Sequence, residues 1–183
     1  MSADERRVSK VVMAGPVGVG KTTAVQAASD VPVLTTEARP SDETRLSKET
    51  TTVALDFGVL RLDGSVTVHL YGTPGQRRFD FMWDILTSNS SGVVLLVDAS
   101  DPDPEEGFDP YLEAFAPMLA EGRLALGITR LPAGSSHALG YYRERLGEAG
   151  AWAPVLEADP RSRLDVLVLI RALLATAERG AVR

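Results

Sequence analysis

The sequence has 183 residues, with 25 Asp and Glu against 19 Lys and Arg, a net charge of −6, two histidines and no cysteine. One domain of this length buries a substantial core, and the missing cysteines exclude a disulfide scaffold and any thiolate metal or redox site. The acidic balance argues against a nucleic-acid partner, which a basic face would have to meet, and the lone His69 and His137 form no metal-ligand cluster.

In chain order, Val8 to Ala14 reads as a buried strand and Lys21 to Ala28 as a helix. Thr35 to Thr52 is polar, contains Pro40 and has no period, as in a surface loop. Val53 to Leu62 and Val66 to Tyr71 are strands joined through Asp63-Gly64, a strong hairpin signal. Phe79 to Leu86 suits a short helix, and the apolar run Gly92 to Asp98 suits a strand covered on both faces. Ser100 to Asp109, with Pro102, Pro104 and several acids, reads as a surface loop before a helix from Tyr111 to Glu121. Leu124 to Thr129 is another buried strand, Ala138 to Gly147 a helix and Pro154 to Glu157 a brief sixth strand. Arg161 to Arg179 has the apolar spacing of a helix packed on a sheet. Strands alternating with helices imply one α/β domain over residues 1–183, with a mainly parallel six-stranded sheet, one strand antiparallel, flanked by helices.

Directly after the first strand stands Gly15-Pro16-Val17-Gly18-Val19-Gly20-Lys21-Thr22, a complete G-x-x-x-x-G-K-[ST] phosphate-binding loop. Glycines let successive N–H groups, expected from Gly18, Val19, Gly20 and Lys21, point into one concavity, and the following helix adds its positive dipole end. Lys21 reaches the β- and γ-phosphates, and the Thr22 hydroxyl completes the shell of a Mg²⁺ ion bridging them. Gly15, Val17 and Thr23 complete the expected nucleotide-contacting set of the loop.

At the end of a later strand stands Leu70-Tyr71-Gly72-Thr73-Pro74-Gly75-Gln76. With the phosphate loop, this segment resembles switch II of the Ras-like small GTPases, and the resemblance follows element order along essentially the whole chain. It implies a P-loop NTPase fold of the small G-protein type, Gly75 meeting the γ-phosphate and Gln76 orienting the attacking water. Thr52-Val53-Ala54-Leu55-Asp56-Phe57 is similar to switch I, which implies Thr52 as the candidate second protein ligand of Mg²⁺, with its neighbours Thr50 and Thr51 able to substitute. More narrowly, the TPGQ and TTVALDFG segments resemble the roadblock-associated GTPases of actinomycete conservons and the MglA-like group. That likeness implies a roadblock-domain partner, acting as a GTPase-activating protein or effector, and through it a sensor kinase complex.

The sequence departs from the Ras-like pattern at the metal site, at the base-reading motifs and in the phosphate loop. Gly72 replaces the aspartate that holds a Mg²⁺-bound water, as it is also replaced in the MglA-like group. The base-reading segment is Thr129-Arg130-Leu131-Pro132, where Thr129 can still hydrogen-bond and the Arg130 stem can cover the base, but Pro132 brings no carboxylate. The last motif reads Glu157-Ala158-Asp159, of which the Ala158 backbone alone carries over. Val17 replaces a glycine beside the γ-phosphate, so intrinsic hydrolysis is expected to be slow, and Arg45 is a candidate internal arginine finger.

The expected function is a Mg²⁺-dependent guanine-nucleotide switch binding GTP and GDP with weak hydrolysis. The alternative is a nucleotide-binding interaction module with little hydrolysis that takes ATP or GTP. No apolar stretch approaches the ~20 residues that span a bilayer, Ser2 replaces a myristoylation glycine and there is no cysteine to lipidate. The expected location is therefore the cytoplasm, without a direct membrane anchor and peripheral to a membrane only through partners.

Overall fold

The computed structural model describes residues 7–36, 55–64, 66–75, 81–132 and 136–180. Its strands are β1 (Arg7–Ala14), β2 (Leu34–Thr35), β3 (Asp56–Leu62), β4 (Val66–Gly72), β5 (Gly92–Asp98), β6 (Leu124–Thr129) and β7 (Val155–Glu157). Its helices are α1 (Lys21–Ala28), α2 (Phe81–Thr87), α3 (Pro104–Ala114), α4 (Ala116–Ala120), α5 (Ser136–Glu148) and α6 (Arg163–Gly180). The seven strands form one sheet in the order β2-β3-β4-β1-β5-β6-β7. All pairings from β4 to β7 are parallel, while β3 runs against both of its neighbours.

The run Val11-Val12-Met13-Ala14 explains why β1 is central: all four side chains are buried, and alternate residues serve opposite cores. Val11 and Met13 join Ala24, Val25 and Ala28 of α1 and Val166, Leu169, Ile170 and Leu173 of α6. Val12 and Ala14 join Trp83 of α2, Phe108 and Tyr111 of α3, and Tyr142 and Leu146 of α5. A strand covered on both faces has no reason to alternate with polar residues, which is what its sequence displays. Asp63 and Gly64 both take positive φ, 49° and 75°, the handedness of a tight hairpin turn between β3 and β4.

Two expectations change. Among the described residues the sheet has seven strands instead of six, because Leu34–Thr35 pairs with Asp56 and Phe57 at the edge. A strand of two residues carries no periodicity that sequence reading can detect. The stretch read as a loop up to Asp109 is helical from Pro104 onward. Asp103 caps it by accepting from the Glu106 N–H, and Pro104 fits the first turn, where its missing N–H costs nothing. Glu105 and Glu106 then stand at the positive end of the helix, and Phe108 and Tyr111 bury its inner face. The expected single helix over Tyr111 to Glu121 is interrupted at Phe115, so that α4 begins as a separate short element. No described helix is long and apolar enough to cross a membrane.

Candidate functional site

The parallel strands β1, β4, β5, β6 and β7 all deliver their carboxyl ends to one edge of the sheet, where open α/β sheets place their ligands. At the end of β1 the chain enters the phosphate loop, in which Gly15, Gly18 and Gly20 have φ of 137°, 78° and 106°. A Cβ on Gly15 would lie 2.2 Å from the Leu96 carbonyl oxygen, and one on Gly20 would lie 2.6 Å from Pro160 Cγ. Both the loop's turns and its approach to β5 and to the segment after β7 therefore exclude side chains. Lys21 opens α1, is only 8% exposed, and donates from Nζ to the Gly15 and Pro16 carbonyls at 2.8 and 2.6 Å. Burial pushes its ammonium down to about 8, with the Asp56 carboxylate pulling the other way. Thr23 is half-buried on the same turn, Val19 is buried, and Val17 is 67% exposed at the loop's outer side.

Beside Lys21 lies a residue that motif reading did not single out. Asp56, the first residue of β3, is 7% exposed and accepts hydrogen bonds from the Thr22 hydroxyl at 2.5 Å and from the Thr35 hydroxyl at 2.8 Å. It faces Gly72 across the β3–β4 ladder. A Cβ on Gly72 would meet Asp56 Cβ and Oδ2, each at 3.0 Å. The Asp56 carboxylate thus fills nearly the space that a side chain at position 72 would take. The signal was present as an acid at a strand start opposite a glycine, and it needed the β3–β4 register to be read.

These groups fit Mg²⁺. A hydroxyl and a buried carboxylate within hydrogen-bond distance are the hard oxygen donors that this ion takes, with phosphates and water completing its shell. Among the described residues the Thr73 hydroxyl, 4% exposed and next in chain to Gly72, finds no hydrogen-bond partner. Among the described residues no group of three or more His, Cys, Asp or Glu could hold a metal, so an ion here would depend on the nucleotide.

Gly75 closes the phosphate end. Its missing side chain makes room for Lys21 Nζ and Val17 N, each 2.7 Å from where a Cβ would stand, so the TPG segment and the phosphate loop are in contact. Gln76, Arg45 and Thr52 lie outside the described residues.

At the other end is a cleft of about 720 Å³ lined by the phosphate loop, Thr129 to Leu131, Glu157 to Arg161 and two further residues of α1 and α6. That volume suits a nucleoside-sized ligand. Arg130 takes a left-handed φ of 53° and donates to the Gly18 carbonyl at 2.7 Å while its other nitrogen pairs with Asp98. Burial alone would raise the Asp98 pKa, but hydrogen bonds from Ser100 and the Arg130 charge outweigh it and hold the carboxyl below its ordinary value. The buried Thr129 hydroxyl donates to the Val97 carbonyl, and the Ala158 N–H donates to the Ile128 carbonyl at 2.9 Å.

Known proteins share parts of this chain. A family described as a conserved hypothetical ATP binding protein matches residues 32–119, a stretch that starts after the phosphate loop. An uncharacterized protein of Methanocaldococcus jannaschii is 31% identical over 119 residues, 65% of this chain and 66% of its own length. ADP-ribosylation factor-like protein 8b of Arabidopsis thaliana is 48% identical over 40 residues, 22% of each protein. Among solved structures, the cytosolic domain of the T. maritima FeoB iron transporter in its apo form has a TM-score of 0.66 at 20% identity, covering 94% of this chain and 65% of that one. The chain thus spans less than two thirds of the length of the FeoB domain and about two thirds or less of the sequence relatives. Its fold is the α/β fold of that cytosolic domain, a mostly parallel sheet flanked by helices, here with the phosphate-binding loop after the first strand.

Proposed function

We propose that this chain is a Mg²⁺-dependent nucleotide switch of the small-GTPase type that binds GTP and GDP, hydrolyses GTP slowly, and reports its state to a roadblock-domain partner. The observation that carries this reading is the convergence of Lys21, Thr22 and Asp56 on one side of the phosphate loop, with Gly75 against it. In this reading the loop amides and the Lys21 ammonium hold the β- and γ-phosphates, and Thr22, Asp56 and Thr52 supply the protein side of the metal site. Mg²⁺, when bound, neutralises charge on the phosphate oxygens. Gln76 orients water, Arg45 acts as an internal arginine finger, and the exposed Val17 side chain beside the γ-phosphate position keeps turnover slow. The GTP assignment and the roadblock and sensor-kinase partners rest on the small-GTPase resemblance, as does a cytoplasmic location peripheral to a membrane through those partners.

The second reading, an interaction module with little hydrolysis, is favoured by the match to a family described as ATP binding, because that description names binding alone. Phosphate release from Mg·GTP, measured with and without a roadblock protein, separates the two. A switch shows slow release that the partner accelerates and that collapses in Gln76→Ala; no release above background in any of these mixtures leaves the binding module standing.

A further inference from the structure

The cleft's base end has a consequence for substrate choice that rests on the reading of this cleft as a nucleoside triphosphate site. Reading guanine by its edge requires fixed acceptors for N1–H and the exocyclic amine and a fixed donor for O6. In this cleft several of the polar groups that could serve already have partners within the chain. The Ala158 N–H, just past the end of β7, donates to the Ile128 carbonyl, and the Asp159 N–H donates to Asp165 Oδ2, both at 2.9 Å. The Asp159 carboxylate is held by Arg161 Nε and Nη2 at 2.9 and 2.8 Å, and the Thr129 hydroxyl by the Val97 carbonyl at 3.0 Å. Pro132, next in chain after the lining residue Leu131, has neither N–H nor carboxylate. Glu157 lines the cleft as an exposed residue, where hydration weakens what its charge can discriminate.

The wall, by contrast, is built. Arg130 accepts a backbone conformation that side chains rarely adopt, and its guanidinium is clamped between Asp98 and the Gly18 carbonyl. A left-handed non-glycine residue persists only where its surroundings over-determine it. Here those surroundings fix a planar cation beside the phosphate loop, a surface that stacks on any purine.

We infer that this site binds purine nucleoside triphosphates through their phosphates and the face of the base, with little choice between guanine and adenine. An edge-reading site would separate them by roughly 10⁴-fold or more. The test is titration of the nucleotide-stripped full chain with Mg·GTP and Mg·ATP. Both should bind, with dissociation constants within about tenfold of each other, and Lys21→Ala should weaken both alike. A preference for GTP of about a thousandfold would overturn the inference while leaving the switch reading intact. Binding of neither nucleotide would overturn the switch reading, and the inference with it. Pro132→Asp supplies a carboxylate beside Leu131 at the cleft's edge, where the small-GTPase resemblance puts the base-reading acid, and should raise the GTP preference at least about tenfold without weakening ATP. An unchanged ratio in folded Pro132→Asp protein would put the base elsewhere and overturn the inference.

Discussion

Asp56 and Gly72 occupy facing positions on β3 and β4, and only one of the two can carry a carboxylate comfortably. Gly72→Asp would press a second acid against the first at about 3 Å, where like charges and crowding together cost on the order of 1–3 kcal/mol. The expected outcome is a lower melting temperature for Gly72→Asp, restored, along with the Mg²⁺ dependence of nucleotide binding, in Gly72→Asp combined with Asp56→Ala. An unaltered melting temperature in the single variant would contradict the placement of Asp56.

Lys21 gives a second expectation at the same scale. Its pKa in the free protein is about 8, so below that pH it meets phosphate as an ammonium. Above it, the free protein has lost the proton that the bound state requires, and affinity should fall by up to about tenfold per pH unit until the pKa of the bound form is passed. Nucleotide titrations between pH 7 and 9.5 measure this, and a flat profile would contradict it. The loop residues around Lys21 were legible from motif spacing alone, because backbone capture of phosphate demands glycines at fixed offsets. Asp56 was not, because its role depends on a cross-strand neighbour 16 positions away in sequence.

Among the elements, the buried strands β1, β5 and β6 were readable because an unbroken apolar run has few other destinations. Helix α3 was not, since the prolines and acids that suggest a loop are equally the composition of a helix start. Asp103→Ala removes the side-chain cap on the Glu106 N–H and should cost about 1 kcal/mol, seen in chemical denaturation. Phe108 and Tyr111 would remain to hold the helix on the sheet, so a loss several times larger would contradict this division of roles. On the opposite face, Gly127 of β6 leaves the space that Leu169 of α6 fills, its Cδ1 lying 2.7 Å from where a Cβ would stand. Leu169→Ala should destabilise by about 2–5 kcal/mol, a loss of transfer energy plus the cavity left behind. A cost below about 1 kcal/mol in the same denaturation experiment would show that α6 does not anchor this core.

At the level of the whole molecule, the parallel strands gather the phosphate loop, Asp56's neighbour Gly72, Arg130 and the segment after β7 along one edge. The α/β class and this convergence follow from alternating strand and helix signals. The count of seven strands and the internal use of the base-end hydrogen bonds follow from register and side-chain geometry, which no local pattern encodes. A ligand that binds the folded chain alone must also stabilise it, by about 2.7 kcal/mol at a hundredfold excess over its dissociation constant. The central claim is that this edge binds nucleotide with Mg²⁺, and calorimetric titration of nucleotide-stripped protein with GDP and GTP, with and without Mg²⁺, tests it most directly. The expected result is saturable one-to-one binding that tightens with Mg²⁺ and loses that metal dependence in Asp56→Asn; no binding of either nucleotide in the presence of Mg²⁺ would contradict it.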